Sequence, residues 1–139
     1  IKESRPVLVP YIDELLTTPT RRPMEEGDVF TVGRQGGESP GWHPGSWQLP
    51  PKAMAFAALM ACARASAPTI ERLMHLGGGS RVMAAGGWAR SAGWLSLKEI
   101  ALGRLIERIQ EPEVTATGAA LIAGDAVGWT QDPALALGL

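Results

Sequence analysis

The feature that most constrains the fold is a strand, a glycine turn and a helix written into residues 80–105, SRVMAAGGWARSAGWLSLKEIALGRL. A short apolar run at 82–85 stops at Gly86 and Gly87, and an amphipathic run rich in helix formers begins near Ser91. A turn without side chains adopts backbone angles closed to other residues and aims free N–H groups at whatever lies above it. A flat ring or a phosphate can come close to such a turn. An isolated Gly–Gly is more often a tight turn needed for geometry alone, because short motifs recur by chance.

The rest of the chain alternates strand and helix signals, which predicts class α/β. Residues 6–12 (PVLVPYI) read as a mostly apolar strand. Residues 13–28 contain Pro19, Pro23 and Gly27 and read as loop, and 29–32 as a short strand. Residues 33–51, dense in Gly and Pro and carrying Trp42 and Trp47, read as a long irregular connection of the kind that is usually functional or disordered. Between 52 and 76 the pattern is helical, with Met54, Leu59, Met60, Ala63 and Ala67 on one broad face. Pro68 predicts either a kink or a new helix capped by Ser66; Ile70, Leu73 and Met74 continue the stripe until Gly77, Gly78 and Gly79 end it. A second helix is expected over 92–102, a short strand over 105–108, a turn at 111–113 and an alanine-rich helix over 115–126. Gly118 would let that last helix approach a neighbour closely. Residues 129–139 read as a tail or a final short helix.

Composition narrows the function classes. The 139 residues are 45% hydrophobic with net charge −1, which fits one globular domain with a real core and gives no sign of nucleic acid or an anionic membrane as partner. No apolar run is expected to reach transmembrane length and no signal peptide is read. The single cysteine, Cys62, sits on an alanine-rich helix face and is expected to be a small buried hydrophobe; without a disulfide partner it suggests a reducing cytoplasm. His43 and His75 have no ligand-spaced neighbours, so no metal site is expected. There is no Gly-Lys-Ser/Thr phosphate loop, no G-x-G-x-x-G and no nucleophile-elbow serine. The chain opens on Ile1 rather than Met, which reads as a fragment.

Beyond the turn come Leu102–Gly103, then Glu113–Val114–Thr115–Ala116–Thr117–Gly118–Ala119–Ala120. In this order and spacing, residues 81–124 resemble the C-terminal domain of the FGGY-family carbohydrate kinases, members of the actin-like ATPase superfamily. In that family a strand enters a GGGARS-like turn, a helix ending in LG follows, and E-x-T-A-x-G-A-A opens the next helix. Trp88 departs from the pattern, standing where a third glycine usually lies. Residues 7–70 resemble the family loosely, through Val9–Pro10–Tyr11 and 27–33, with 36–48 as an insertion.

The resemblance implies a partial actin-like ATPase (ribonuclease H-like) domain, a mixed sheet flanked by helices. Residues 1–139 would be the C-terminal, nucleotide-side part of a kinase that uses ATP and Mg2+ to phosphorylate a sugar or polyol hydroxyl. Gly86, Gly87, Trp88 and Ser91 would lie near the nucleotide, with Trp88 either along an adenine face or simply packed. Arg90 is read as a solvated surface residue, although its guanidinium suits oxyanions. Glu113 is read as a helix cap, and Thr117–Gly118 as packing under the nucleotide edge. The family's catalytic aspartate and sugar contacts lie in an N-terminal domain, and none of Asp13, Glu14, Asp28, Asp125 or Asp132 stands in that context; no catalytic residue is assigned here. The expected partners are ATP and a sugar or polyol, with a homo-oligomer compatible. The alternative is a non-catalytic nucleotide-binding or interaction module on the same half-fold.

Overall fold

The computed structural model describes residues 7–20, 30–33, 41–43, 45–111, 113–129 and 131–137. They form a mostly helical α/β structure with two small sheets. Helix α1 (Val9–Thr17) is followed by β1 (Phe30–Thr31) and β2 (Gly41–Trp42). The long α2 (Pro51–Gly77) leads to β3 (Met83–Ala84), a 3-10 turn (Gly87–Arg90) and α3 (Ala92–Leu102). Then come β4 (Glu107–Arg108), α4 (Val114–Ala126) and α5 (Pro133–Leu137).

The core is built by three helices. Leu15 of α1, Phe56 and Met60 of α2, and Leu97 of α3 are buried together, and Tyr11, Ile12, Leu59 and Trp94 pack around them. Residues 9–17 are helical where a strand was expected over 6–12. Tyr11, Ile12 and Leu15 fall on one face at helical spacing, and the prolyl ring at Pro10 is tolerated in a first turn, where an N–H would have no partner. Leu15, which completes the pattern, lay in the segment read as loop.

Helix α2 starts on Pro51, runs through Pro68 without a break and ends on Gly78, whose φ of 64° is the left-handed cap glycine supplies readily. Ser66 caps no new helix. Its hydroxyl donates to the Ala63 carbonyl at 2.7 Å and accepts from Lys98 at 2.6 Å. Cys62 is exposed, not buried, because the helix turns Ala63 and Met60 into the core instead. By length and composition α2 is long and apolar enough to cross a membrane, contrary to the sequence expectation; in this fold one face of it is the wall of the core.

A closer fit joins α1 to α3. A Cβ placed on Gly93 would sit 1.9 Å from the Leu15 carbonyl oxygen, so only glycine permits this approach. On either side of it, Ser91 Oγ donates to the Leu16 carbonyl at 2.6 Å, and Ser96 Oγ accepts the Thr20 N–H at 2.8 Å. Ser91 also accepts the Trp94 N–H and so caps α3.

The expected single mixed sheet is not formed among the described residues. β1 and β2 pair antiparallel, with Phe30 edge-on to Trp42 at 4.8 Å between ring centroids, so part of the segment read as irregular is a hairpin arm. β3 and β4 pair parallel, with α3 between them in the chain. Arg81 donates to Glu107 across that pair at 2.8 Å, and the α3 residue Glu99 accepts the Ile106 N–H at 2.9 Å. The Arg81 hydrogen bond holds the Glu107 carboxyl below the usual carboxylate range.

Helix α4 begins one residue earlier than expected. Glu113 stands at its N-cap position but makes no side-chain capping bond; its carboxylate faces Arg90 at 3.5 Å. Gly118 faces open space, so it is not a packing glycine among the described residues; Gly124, against Trp129, takes that part. The tail contains the short α5, packed on α4.

Two outcomes check this account. Gly93→Ala should cost about 1–3 kcal/mol or more in urea unfolding, as an overpacked site does, whereas Gly118→Ala should be neutral or stabilise by up to about 1 kcal/mol. Because the Glu107 carboxyl is depressed in the fold, its contribution is present above the unfolded carboxylate value of about 4.3 and is lost as pH falls through the folded one. Glu107→Gln should therefore lose less stability than the parent between pH 7 and pH 3, read as urea midpoints.

Candidate functional site

The glycine turn closes a β3–turn–α3–β4 unit at the C-terminal ends of two parallel strands, where open α/β sheets characteristically present a ligand crevice. The two glycines have different reasons to be there. Gly86 adopts φ 84°, ψ −173°, a region essentially reserved for glycine, so the backbone itself demands it. Gly87 has ordinary φ, and a Cβ on it would meet nothing within 4 Å. Nothing in the packing of the described residues requires glycine at 87.

The turn is anchored from below. Ala89 is buried, its N–H bonds the Gly86 carbonyl at 3.1 Å, and the Ser91 N–H bonds the Trp88 carbonyl at 3.2 Å. Among the described residues, no hydrogen bond engages the N–H of Gly87 or Trp88. Two backbone donors are thus left at the start of the turn.

A cavity of about 340 Å³ opens beside the turn, lined by Gly86, Ala89, Arg90, Arg108, Ile109, Gln110 and Glu111. Its floor is the strand end where the Ile109 N–H bonds the Ala84 carbonyl at 3.0 Å. Two guanidinium groups in one small cavity make it a place for an oxyanion, and Glu111 gives it an opposing carboxylate. Arg90 remains exposed, as expected from the sequence, and approaches Glu113.

The four residues singled out in the sequence do not converge in one cavity. Gly86 lines the arginine cavity. Gly87 opens the turn above it and lines neither cavity. Trp88 is 66% exposed and lines a separate apolar groove with Trp94, its ring centroid 6.1 Å from that of Trp94. Ser91 spends its hydroxyl on Leu16 and on the α3 cap, so its side chain is structural. Sequence reading missed Arg108 and Gln110, which stand at the end of a two-residue strand with no motif around them. The signal available was position: the residues after the second parallel strand face the turn after the first.

Among the described residues there is no group of three His, Cys, Asp or Glu side chains that could hold a metal ion. Asp28 and, within the 36–48 insertion, residues 36–40 and 44 lie outside the described residues. No family model matches the chain, and no curated protein or solved structure is significantly similar to it.

Ser91→Ala should lower stability by about 1–2 kcal/mol, through loss of the α3 cap and of the bond to α1, while leaving any ligand affinity of the folded protein unchanged within about twofold. Thermal unfolding and ligand titration of the same sample read the two effects separately.

Proposed function

We propose that this chain is the nucleotide-side, C-terminal part of an ATP-dependent carbohydrate kinase of the FGGY type, which transfers the γ-phosphoryl group of ATP to a sugar or polyol hydroxyl. The observation that carries the reading is the glycine turn at the end of a parallel strand. It has a glycine that packing does not require, two unengaged N–H donors and two arginines in the adjoining cavity. Backbone donors and guanidinium groups around a small cavity suit the phosphates of a nucleotide. The segments on which the sequence resemblance rests are a strand, the GGWARS turn, a helix capped by Gly103 and a helix carrying TATGAA, in that order.

In this reading the Gly87 and Trp88 N–H groups and Arg108 bind phosphate oxygens, and the bare Cα of Gly87 lets the nucleotide approach the backbone. Magnesium would arrive on the nucleotide phosphates, since the described residues gather no three His, Cys, Asp or Glu side chains that could hold it alone. The base that takes the proton of the sugar hydroxyl belongs to another part of the kinase, and closure of that part over the turn would exclude water from the phosphoryl group. The reading of the same half-fold as a non-catalytic nucleotide-binding module shares the ATP prediction and differs only in the whole protein, which would then phosphorylate no sugar.

The test is calorimetric titration with ATP. The protein should bind ATP, Gly87→Leu should weaken binding at least about tenfold with stability held within about 1 kcal/mol, and Arg108→Gln should weaken it by about tenfold. A wild-type protein that does not bind ATP, or a Gly87→Leu variant that binds it equally, would leave the turn as structure only. The chain by itself should phosphorylate no sugar, measured as ADP release against a sugar panel.

A further inference from the structure

On the other side of the turn from the arginine cavity lies a groove of about 670 Å³, between α2, the β3 arm and α3. This volume is typical of small-molecule sites, which span about 300–1,000 Å³. Its walls are apolar, with Leu59 and Val82 opposite the indoles of Trp88 and Trp94. Its polar side chains are Lys98 and the exposed thiol of Cys62, and no carboxylate is among the described residues that line it.

Lys98 is held in a defined place. Its ammonium donates to Ser66 Oγ at 2.6 Å and lies 5.1 Å from the Trp94 ring centroid. The Ser66 hydroxyl is itself committed to the Ala63 carbonyl. An ammonium has three donors, so two remain after Ser66. Partial burial pulls the Lys98 amine below the usual lysine range, with the Cys62 sulfur acting the other way and no carboxylate among the described lining residues. An apolar trough with one fixed cation and aromatic walls is complementary to a molecule with one flat apolar body and one negative end.

We infer that this groove is a binding site for a small aromatic carboxylate, its ring against Trp88 and Trp94 and its carboxylate on Lys98 Nζ. The site is separate from the arginine cavity proposed for the nucleotide, and Ala89 of the turn borders both. Occupancy of the groove would thus bear on the same turn from its opposite face.

The experiment is calorimetric titration with 2-naphthoate and with its neutral counterpart 2-naphthalenemethanol, each with and without saturating ATP. The expected result is that naphthoate binds about tenfold or more tightly than the alcohol. Lys98→Met keeps the length and apolar stem of the side chain and should bring that ratio close to one. Trp88→Ala, at an exposed position, should weaken both ligands while leaving the fold intact. The inference is overturned if naphthoate does not saturate, if Lys98→Met keeps the preference for the acid, or if ATP displaces naphthoate, which would make the groove part of the nucleotide site. A protein that binds naphthoate but not ATP would overturn the nucleotide reading alone.

Discussion

The structure depends on the close approach of α1 and α3, elements about 75 residues apart in the chain. Gly93 allows the helices to meet at backbone distance; Ser91 donates to the Leu16 carbonyl in the last turn of α1, and Ser96 accepts the Thr20 N–H just beyond it. The last turn of a helix leaves carbonyl groups without intrahelical partners. Here the Leu16 carbonyl is met by a serine from α3, so one contact settles the end of one helix and the start of another. Leu15 is buried against Phe56 and Leu97 because that seam holds α1 in place over α2.

The candidate site inherits its geometry from the seam. Ser91 follows the glycine turn and caps α3, and its bonds to the Leu16 carbonyl and the Trp94 N–H tie that end of the turn to α1 and α3. Buried Ala89 pins the middle of the turn. Gly86 pivots between them in a conformation other residues avoid. The turn therefore projects Gly87 and Trp88 as its free part, with an arginine-lined cavity on one side and an apolar groove on the other.

Much of this was legible in residues 80–126. The break from an apolar run into Gly86–Gly87, the restart of helix at Ser91 and the stop at Gly103 are local signals, and the structure has β3, the turn and α3 there. The end of α2 at three successive glycines was legible for the same reason. Residues 9–17 were misread because Val7, Leu8, Val9 and Ile12 carry strand-like composition, and only the partner surface on α2 and α3 selects the helical spacing of Tyr11, Ile12 and Leu15. Cys62 was misplaced because an alanine-rich helix offers several plausible buried faces, and the choice between them is made by what packs against it. The role expected of Gly118 belongs instead to Gly93 and Gly124, since a glycine in a sequence does not say which neighbour comes close.

The sequence by itself determined the positions of turns and helix ends, the absence of a phosphate-loop lysine motif, and the glycine turn as the place to look for chemistry. Those depend on φ, on missing side chains and on spacing, all properties of a few adjacent residues. Only the tertiary structure decided which of the singled-out residues share a cavity: Gly86 with Arg108, Trp88 with Trp94 and Lys98, and Ser91 with Leu16. Such pairings join residues from 6 to 75 positions apart, and they are set by how helices bury their apolar faces together, which no local pattern encodes.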